Sequence, residues 1–162
     1  MDIQIVNFDA THMEFANTVL EANWSSTRVV TRGHMHQVLE LPGYVALVNN
    51  HPKGLLTYNI VGGECEIVTL NSTWVNCGVG TSLLKAVFRT ATLTGCSRLW
   101  LITTNDNTRA LNFYQKRGFR LIRVHLDALT HARQMKPEIP ERGMDDIPII
   151  DEFELERIPR GQ

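Results

Sequence analysis

Short β-rich runs and one-faced apolar periodicities divide this chain into alternating strands and helices. Ile3 to Val6 reads as a strand, and Thr11 to Ala22 as a helix with Phe15, Val19 and Ala22 on one face. Thr31 to Leu39 reads as a second, weaker helix. A meander follows, in which Tyr44 to Val48, Leu55 to Val61 and Glu64 to Leu70 are strands. Asn49 to Gly54 separates the first two, and the turn Gly62-Gly63 makes a hairpin of the second and third. Beyond a glycine loop, Leu83, Val87 and Ala91 recur at i, i+4 beside Leu84 and Phe88, which predicts an amphipathic helix stopped at Gly95. Leu99 to Ile102 is a continuous apolar run, expected of a strand covered on both faces. Strand, helix and strand make a right-handed parallel crossover. A helix capped by Asp106, Asn107 or Thr108 then runs to Lys116 and ends at Gly118. Phe119 to Leu126 and Glu152 to Ile158 are the last strands, with a short helix and Pro-rich segment over 127–150 between them.

The loop that ends Cys77-Gly78-Val79-Gly80 carries the first chemistry. Gly78 and Gly80 are free to take positive φ and let backbone approach a ligand closely. The first N–H groups of the next helix have no intrahelical partners and lie at the positive end of its dipole. Together they form an anion site suited to a pyrophosphate. A dinucleotide-binding fingerprint would need a third glycine where Leu83 stands, and a Walker loop would need a lysine where Thr81 and Ser82 follow Gly80.

Composition narrows the class. With 162 residues, 43% apolar, 20% charged and a net charge of -1, the chain is expected to form one domain over 1–162 with a real core. No basic patch points to nucleic acid, and no apolar run is long enough to span a bilayer. Three cysteines, Cys65, Cys77 and Cys96, show no C-x-x-C spacing, so neither a disulfide framework nor a metal site is indicated and a cytoplasmic setting is expected.

Three segments in order carry a family resemblance: Glu66-Ile-Val-Thr-Leu70, Gly78-Val-Gly80-Thr-Ser-Leu-Leu84, and Asn107-x-x-Ala110-x-x-x-Tyr114 followed by Gly118-Phe119. Their spacing resembles the GNAT superfamily of acyl-CoA-dependent N-acetyltransferases. The resemblance implies an α/β (α+β) fold, a mixed, mostly antiparallel twisted sheet with flanking helices. Its parallel fourth and fifth strands splay apart to admit the pantetheine arm of acetyl-CoA, the implied cosubstrate. It places cofactor contacts at Val68, Thr69 and Leu70 of the fourth strand, along the loop at Val75, Asn76, Cys77, Gly78, Val79, Gly80, Thr81 and Ser82, and at Asn107, Ala110 and Tyr114. Val75 departs from the family, which usually has Gln or Arg there.

Acetyl transfer to an amine needs a base, because an amine of pKa about 10 is mostly protonated at neutral pH, and an acid for the departing thiolate. By resemblance Tyr114 is the acid; its alternative is to pack its helix on the sheet. Asn107 caps a helix and, by resemblance, also binds the pantetheine arm or acetyl carbonyl. Glu66 is either the base, working through water, or an ion-pair member, and by period-two alternation it shares a face with Glu64, Val68 and Leu70.

Trp24, Arg28, Arg32, His34 and His36 fall in the region that shapes the acceptor side in this superfamily, or else on a solvated helix face. The segment 136–148 is long and Pro-rich, as lids are. The expected function is an acetyl-CoA-dependent N-acetyltransferase acting on a small-molecule or peptide amine. The alternatives are a non-catalytic acyl-CoA-binding sensor and a nucleotide-binding domain. An exposed final strand would permit a homodimer.

Overall fold

The computed structural model describes residues 2–74 and 76–159. Its elements run β1 (Ile3–Asn7), α1 (Met13–Trp24), β2 (Arg28–Thr31), β3 (His34–Gln37), β4 (Gly43–Val48), β5 (His51–Val61), β6 (Glu64–Ser72), α2 (Val79–Leu93), β7 (Arg98–Thr104), α3 (Thr108–Lys116), β8 (Arg120–His125), α4 (Ala128–Met135) and β9 (Glu152–Arg157). Seven strands form one sheet in the order β1-β4-β5-β6-β7-β9-β8, and β2 and β3 form a separate pair. Among the described residues only β6 and β7 run parallel. The fold class is therefore the expected one, with β6 and β7 in the places of the fourth and fifth strands. No helix among the described residues is long and apolar enough to cross a membrane.

The segment read as a helix over Thr31 to Leu39 is instead the β2–β3 hairpin, closed by Arg32 and Gly33 at φ 50° and 73°. A two-residue turn with both φ positive matches strand twist, and the β-branched run Val29-Val30-Thr31 favours the extended chain. The connector assigned to Asn49 to Gly54 shrinks to the turn Asn49-Asn50, both at positive φ, and β5 begins at His51. Nor is the final strand exposed: β9 lies between β7 and β8, so the edge proposed for pairing a dimer is already paired on both sides.

The two faces of the sheet are covered differently. Val79, Leu83, Leu84, Val87 and Ala91 of α2 pack with Leu56, Cys65, Ile67, Leu99, Leu155 and Tyr114 on one face. Ala16 and Leu20 of α1 join Val29, Val38, Val45, Leu55 and Val68 on the other. Gly54 lets α2 settle against the sheet, since a Cβ there would lie 2.5 Å from Val79 Cγ1 and 2.9 Å from Leu83 Cδ1.

A bulge in β6 creates the opening the site needs. Thr57 of β5 faces Thr69 and Tyr58 faces Ile67, leaving Val68 as the extra residue. Such an insertion bends the strand and increases its twist. The parallel ladder stops at the same point, its last pair being Ile67 with Leu101, so β6 and β7 part beyond it. The bulge also breaks the expected alternation. Val68 stays in the core cluster on the α1 face, whereas Leu70 packs with the α2 cluster and no longer shares a face with Glu66 and Val68.

Candidate active site

A cavity of about 700 Å³ opens between the N-terminus of α2 and one side of α3. Its rim begins with Gly78, the N-cap of α2 at φ 87° and ψ -1°. Ser82 N donates to Gly78 O at 3.0 Å as the first intrahelical bond, which leaves the N–H groups of Val79, Gly80 and Thr81 without helical acceptors. Gly80 is already helical and does not use the positive φ open to it. Its contribution is space, because a Cβ there would sit 3.2 Å from Phe113 Cζ.

Across the cavity α3 presents Arg109 and Lys116, with Arg117 as its C-cap. The Arg117 guanidinium lies 3.8 Å from the Phe113 ring centroid, and its Nε donates to Thr81 Oγ1 at 3.0 Å. A neutral helix N-terminus and three cations thus converge on one space, which suits a polyanion such as a pyrophosphate with further phosphate.

Tyr114 forms the inner end of this cavity and is itself only 7% exposed. Its ring packs edge-on against Phe113 and Phe119, with centroids 5.1 and 5.3 Å away. Among the described residues its hydroxyl has no protein partner. Among the described residues no buried side-chain polar atom is sealed off without one, so the hydroxyl keeps some exposure, and Tyr114 lines the cavity. Burial pushes the phenol above its ordinary pKa and keeps it protonated.

A second cavity, of about 310 Å³, lies between α1, the β2–β3 hairpin, β7 and the segment following α4. Asn71 lines both cavities, and its Oδ1 accepts from Trp24 Nε1 at 2.9 Å. Both spaces therefore border Asn71, which lies on β6 beyond its last pair with β7. Asp106, Lys136 and Glu152 are the charged members of the second wall, which also carries Asn107, Thr31, Thr103 and Thr104 beside Trp24, Val29, Ile102, Leu129, Ile139 and Met144. Asn107 caps α3, its Oδ1 accepting from Ala110 N at 3.1 Å.

Residues of the Pro-rich segment cover this second cavity. Lys136 Nζ donates to Trp24 O at 2.6 Å and Arg28 O at 2.8 Å, tying the base of the segment to the end of α1. Burial holds its pKa below the ordinary lysine value. Asp106 Oδ2 accepts from Met144 N at 3.0 Å, and a Cβ on Gly143 would collide with that same oxygen. Gly143→Ala is accordingly expected to break this charge-assisted bond and raise acceptor KM about 10-fold. Acetyl-CoA affinity stays unchanged in that prediction. Steady-state kinetics and calorimetry check it, and an unaltered KM would show that the segment takes no part in holding the acceptor.

The model of the acetyltransferase (GNAT) family matches residues 12–119. The chain belongs to the GNAT acetyltransferases. It is 40% identical over 143 residues to the uncharacterized protein YxbD of Bacillus subtilis (strain 168), spanning 88% of this chain and 90% of that one. In fold it is similar to an IAA acetyltransferase from Bacillus cereus ATCC 14579, with TM-score 0.77 and 21% identity over 97% of this chain and 99% of that one. It is also similar to a Bacillus subtilis acetyltransferase solved in complex with CoA, with TM-score 0.76 and 18% identity over the same shares, 97% and 99%.

Within this GNAT chain, most residues expected to bind the cofactor come together. Leu70, Asn76, Cys77, Gly78, Val79, Gly80, Thr81, Ala110 and Tyr114 all line the larger cavity. Val75 lies outside the described residues. Val68 and Thr69 are buried in the sheet, the latter bonded through Oγ1 to Thr57 Oγ1 at 2.7 Å. Neither they nor Ser82 are among the lining residues, and Asn107 belongs to the smaller cavity.

Glu66 lines neither cavity. It sits beneath the hairpin, where its Oε2 accepts from Thr31 Oγ1 at 2.7 Å and its Oε1 lies 3.4 Å from His36 Nε2. Thr31 stands between it and the smaller cavity. The two arginines considered as an anion clamp do not converge: Arg28 pairs with Glu138 at 3.3 Å, while Arg32 lies 5.1 Å over Trp100. Residues that the motifs did not single out are Asn71, Glu152 and the cations of α3. Arg109, Lys116 and Arg117 recur at seven- and eight-residue spacings that place them near one side of a helix, a periodicity available in the sequence.

Proposed function

We propose that this GNAT chain transfers the acetyl group of acetyl-CoA to a primary amine by direct attack. The observation that carries the reading is the placement of two cavities on either side of Asn71, one cationic and N–H-lined and the other carboxylate-bearing, beyond the point where the β6–β7 pairing ends. The donor set fits acetyl-CoA, and GNAT neighbours crystallised with CoA or acetyl-CoA support the same cosubstrate. When bound, acetyl-CoA supplies an activated acyl group and a sulfur leaving group.

The chain's own residues then divide the work. The N–H groups opening α2, with Arg109, Lys116 and Arg117, hold the phosphates. The free edge of β6 beyond Ile67 offers backbone donors at the gap, where a developing oxyanion is best stabilised by fixed N–H groups. Tyr114 donates from its hydroxyl to the departing sulfur. With so high a phenol pKa, full transfer to a thiolate is uphill, so the proton moves only as charge builds during bond breaking. Glu66 contributes from behind: it fixes the Thr31 hydroxyl, which also meets His36 Nε2 at 2.8 Å. The free thiols fit a cytoplasmic setting, and burial pushes the Cys65 thiol up to about 12, where it is unreactive.

Thermal shift with acetyl-CoA, CoA, NAD and ATP tests the cosubstrate, since a ligand at one hundred times its Kd adds roughly 2.7 kcal/mol of stability. Stabilisation by the CoA pair alone, followed by amine-dependent thiol release, is the expected result. Stabilisation without thiol release would make the chain an acyl-CoA sensor, and a larger shift with NAD or ATP would overturn the reading.

A further inference from the structure

Glu152 opens β9 at the floor of the smaller cavity and is 2% exposed. Its Oε1 accepts from the backbone N–H of Arg32, at the hairpin turn, at 3.1 Å. Among the described residues its Oε2 has no donor, although no buried side-chain oxygen is sealed without a partner. That oxygen therefore keeps some exposure, and Glu152 is one of the residues lining the smaller cavity.

Glu152 makes no direct ion pair among the described residues, and the two cations that act on it from a distance, His125 and Arg32, lie closer to Glu154. His125, opposite it on β8, places Nε2 2.8 Å from Glu154 Oε1. The Arg32 guanidinium also approaches Glu154, at 3.9 Å, and Arg98 donates to Glu154 at 2.7 Å. Glu66 on β6 adds only like charge. Lys136, across the cavity, is engaged with two backbone carbonyls. The result is a contrast between two carboxylates of one strand. Glu154 is buried too, yet bonds from Arg98 and His125 hold its pKa below the ordinary value, whereas burial raises that of Glu152. Trp24, Val29, Ile102 and Leu129 make much of the remaining wall apolar, beside neutral polar side chains such as Asn23 and Thr103.

We propose, resting on the acetyl-transfer reading above, that Glu152 receives the acceptor's ammonium group and takes its proton, and that the acceptor is a small primary amine with an apolar body. The balance closes. One proton passes from R–NH3+ to the Glu152 carboxylate; the freed nitrogen forms the C–N bond as the C–S bond breaks. Tyr114 gives a proton to sulfur and regains one from the amide nitrogen. Glu152 then releases its proton to solvent, so amine cation and acetyl-CoA yield amide, CoA thiol and one proton.

A carboxylate whose pKa is raised is a stronger base than an ordinary one, which favours removal of the ammonium proton. Activity then rises with pH as Glu152 ionises, modulated by Arg32, His125, Glu66, Glu154 and Lys136. The Glu152→Gln protein is expected to fold. A carboxyl whose folded pKa is raised contributes stability below its unfolded pKa and loses it as pH rises through the folded value, so the charge is a burden at neutral pH that glutamine removes. Glutamine also keeps an oxygen for the Arg32 N–H.

The test compares 2-phenylethylamine, phenylalanine and spermidine by thiol release, with calorimetric binding of each to the CoA-loaded protein. The expected result is that 2-phenylethylamine exceeds phenylalanine in kcat/KM about 10-fold or more, because phenylalanine's carboxylate would meet Asp106 and Glu152. Glu152→Gln should lower kcat/KM about 100-fold, flatten the acid limb of the pH profile and leave acetyl-CoA affinity unchanged, while Glu152→Asp should restore the limb. Preference for phenylalanine or spermidine, a Gln variant within threefold of wild type, or 2-phenylethylamine that neither reacts nor binds would each overturn the inference. Loss of acetyl-CoA stabilisation in the wild type would instead strike the acetyl-transfer reading itself.

Discussion

Tyr114→Phe is expected to lower kcat for amine-dependent thiol release about 100-fold while the Kd for acetyl-CoA changes less than about twofold. The substitution removes one oxygen and keeps the ring, so the edge-on packing with Phe113 and Phe119 is retained. Because the hydroxyl has no protein partner among the described residues, its removal leaves no buried group orphaned and the fold should be unaffected. The lost interaction exists only while sulfur departs, which is why the effect falls on kcat rather than on binding. Single-turnover thiol release with calorimetric Kd values separates the two. An unchanged single-turnover rate would remove Tyr114 from the chemistry and leave it a packing residue.

What the sequence discloses here depends on how local each feature is. The loop into α2 is readable because two glycines, free helix N–H groups and an i, i+4 apolar stripe lie within one short segment. The β2–β3 hairpin escapes the same reading because each strand has only four residues and Arg32-Gly33 supplies the turn without a stronger punctuating pair. The bulge at Val68 is invisible to alternation, since it arises from the register of β5 against β6, and it moves Leu70 to the opposite face from the one alternation assigns. The insertion of β9 between β7 and β8 is likewise a long-range fact. Glu152 is the extreme case. Nothing beside it in the chain marks it, and its cavity is built by α1, the hairpin, β7 and the segment after α4, far apart in sequence. The place of Tyr114 on the larger cavity follows from residues near it in sequence, whereas the surroundings of Glu66 do not, because Thr31 and His36 come from the β2–β3 hairpin.

The cradle makes a second large prediction, at Gly80. Since this residue is helical, valine meets no φ penalty there, and its effect must come from volume. Its Cβ would lie 3.2 Å from Phe113 Cζ and 3.4 Å from Cε1, so the γ carbons must either displace that ring or enter the cavity. Moving the ring also moves Arg117, which stacks on Phe113 and donates to Thr81 in the first turn of α2. Filling the cavity instead blocks the approach of a phosphate to the free N–H groups. Either response costs about 2 kcal/mol by the usual scale of overpacking, which corresponds to about a 30-fold rise in the Kd for acetyl-CoA. Gly80→Ala should cost less, because Phe113 needs to give only a few tenths of an ångström. Calorimetry of both variants, with thermal melts of the ligand-free proteins to confirm folding, tests this ordering. Equal affinity in wild type and Gly80→Val would mean that the phosphates are held elsewhere, and the convergence of α2 with the cations of α3 would lose its meaning.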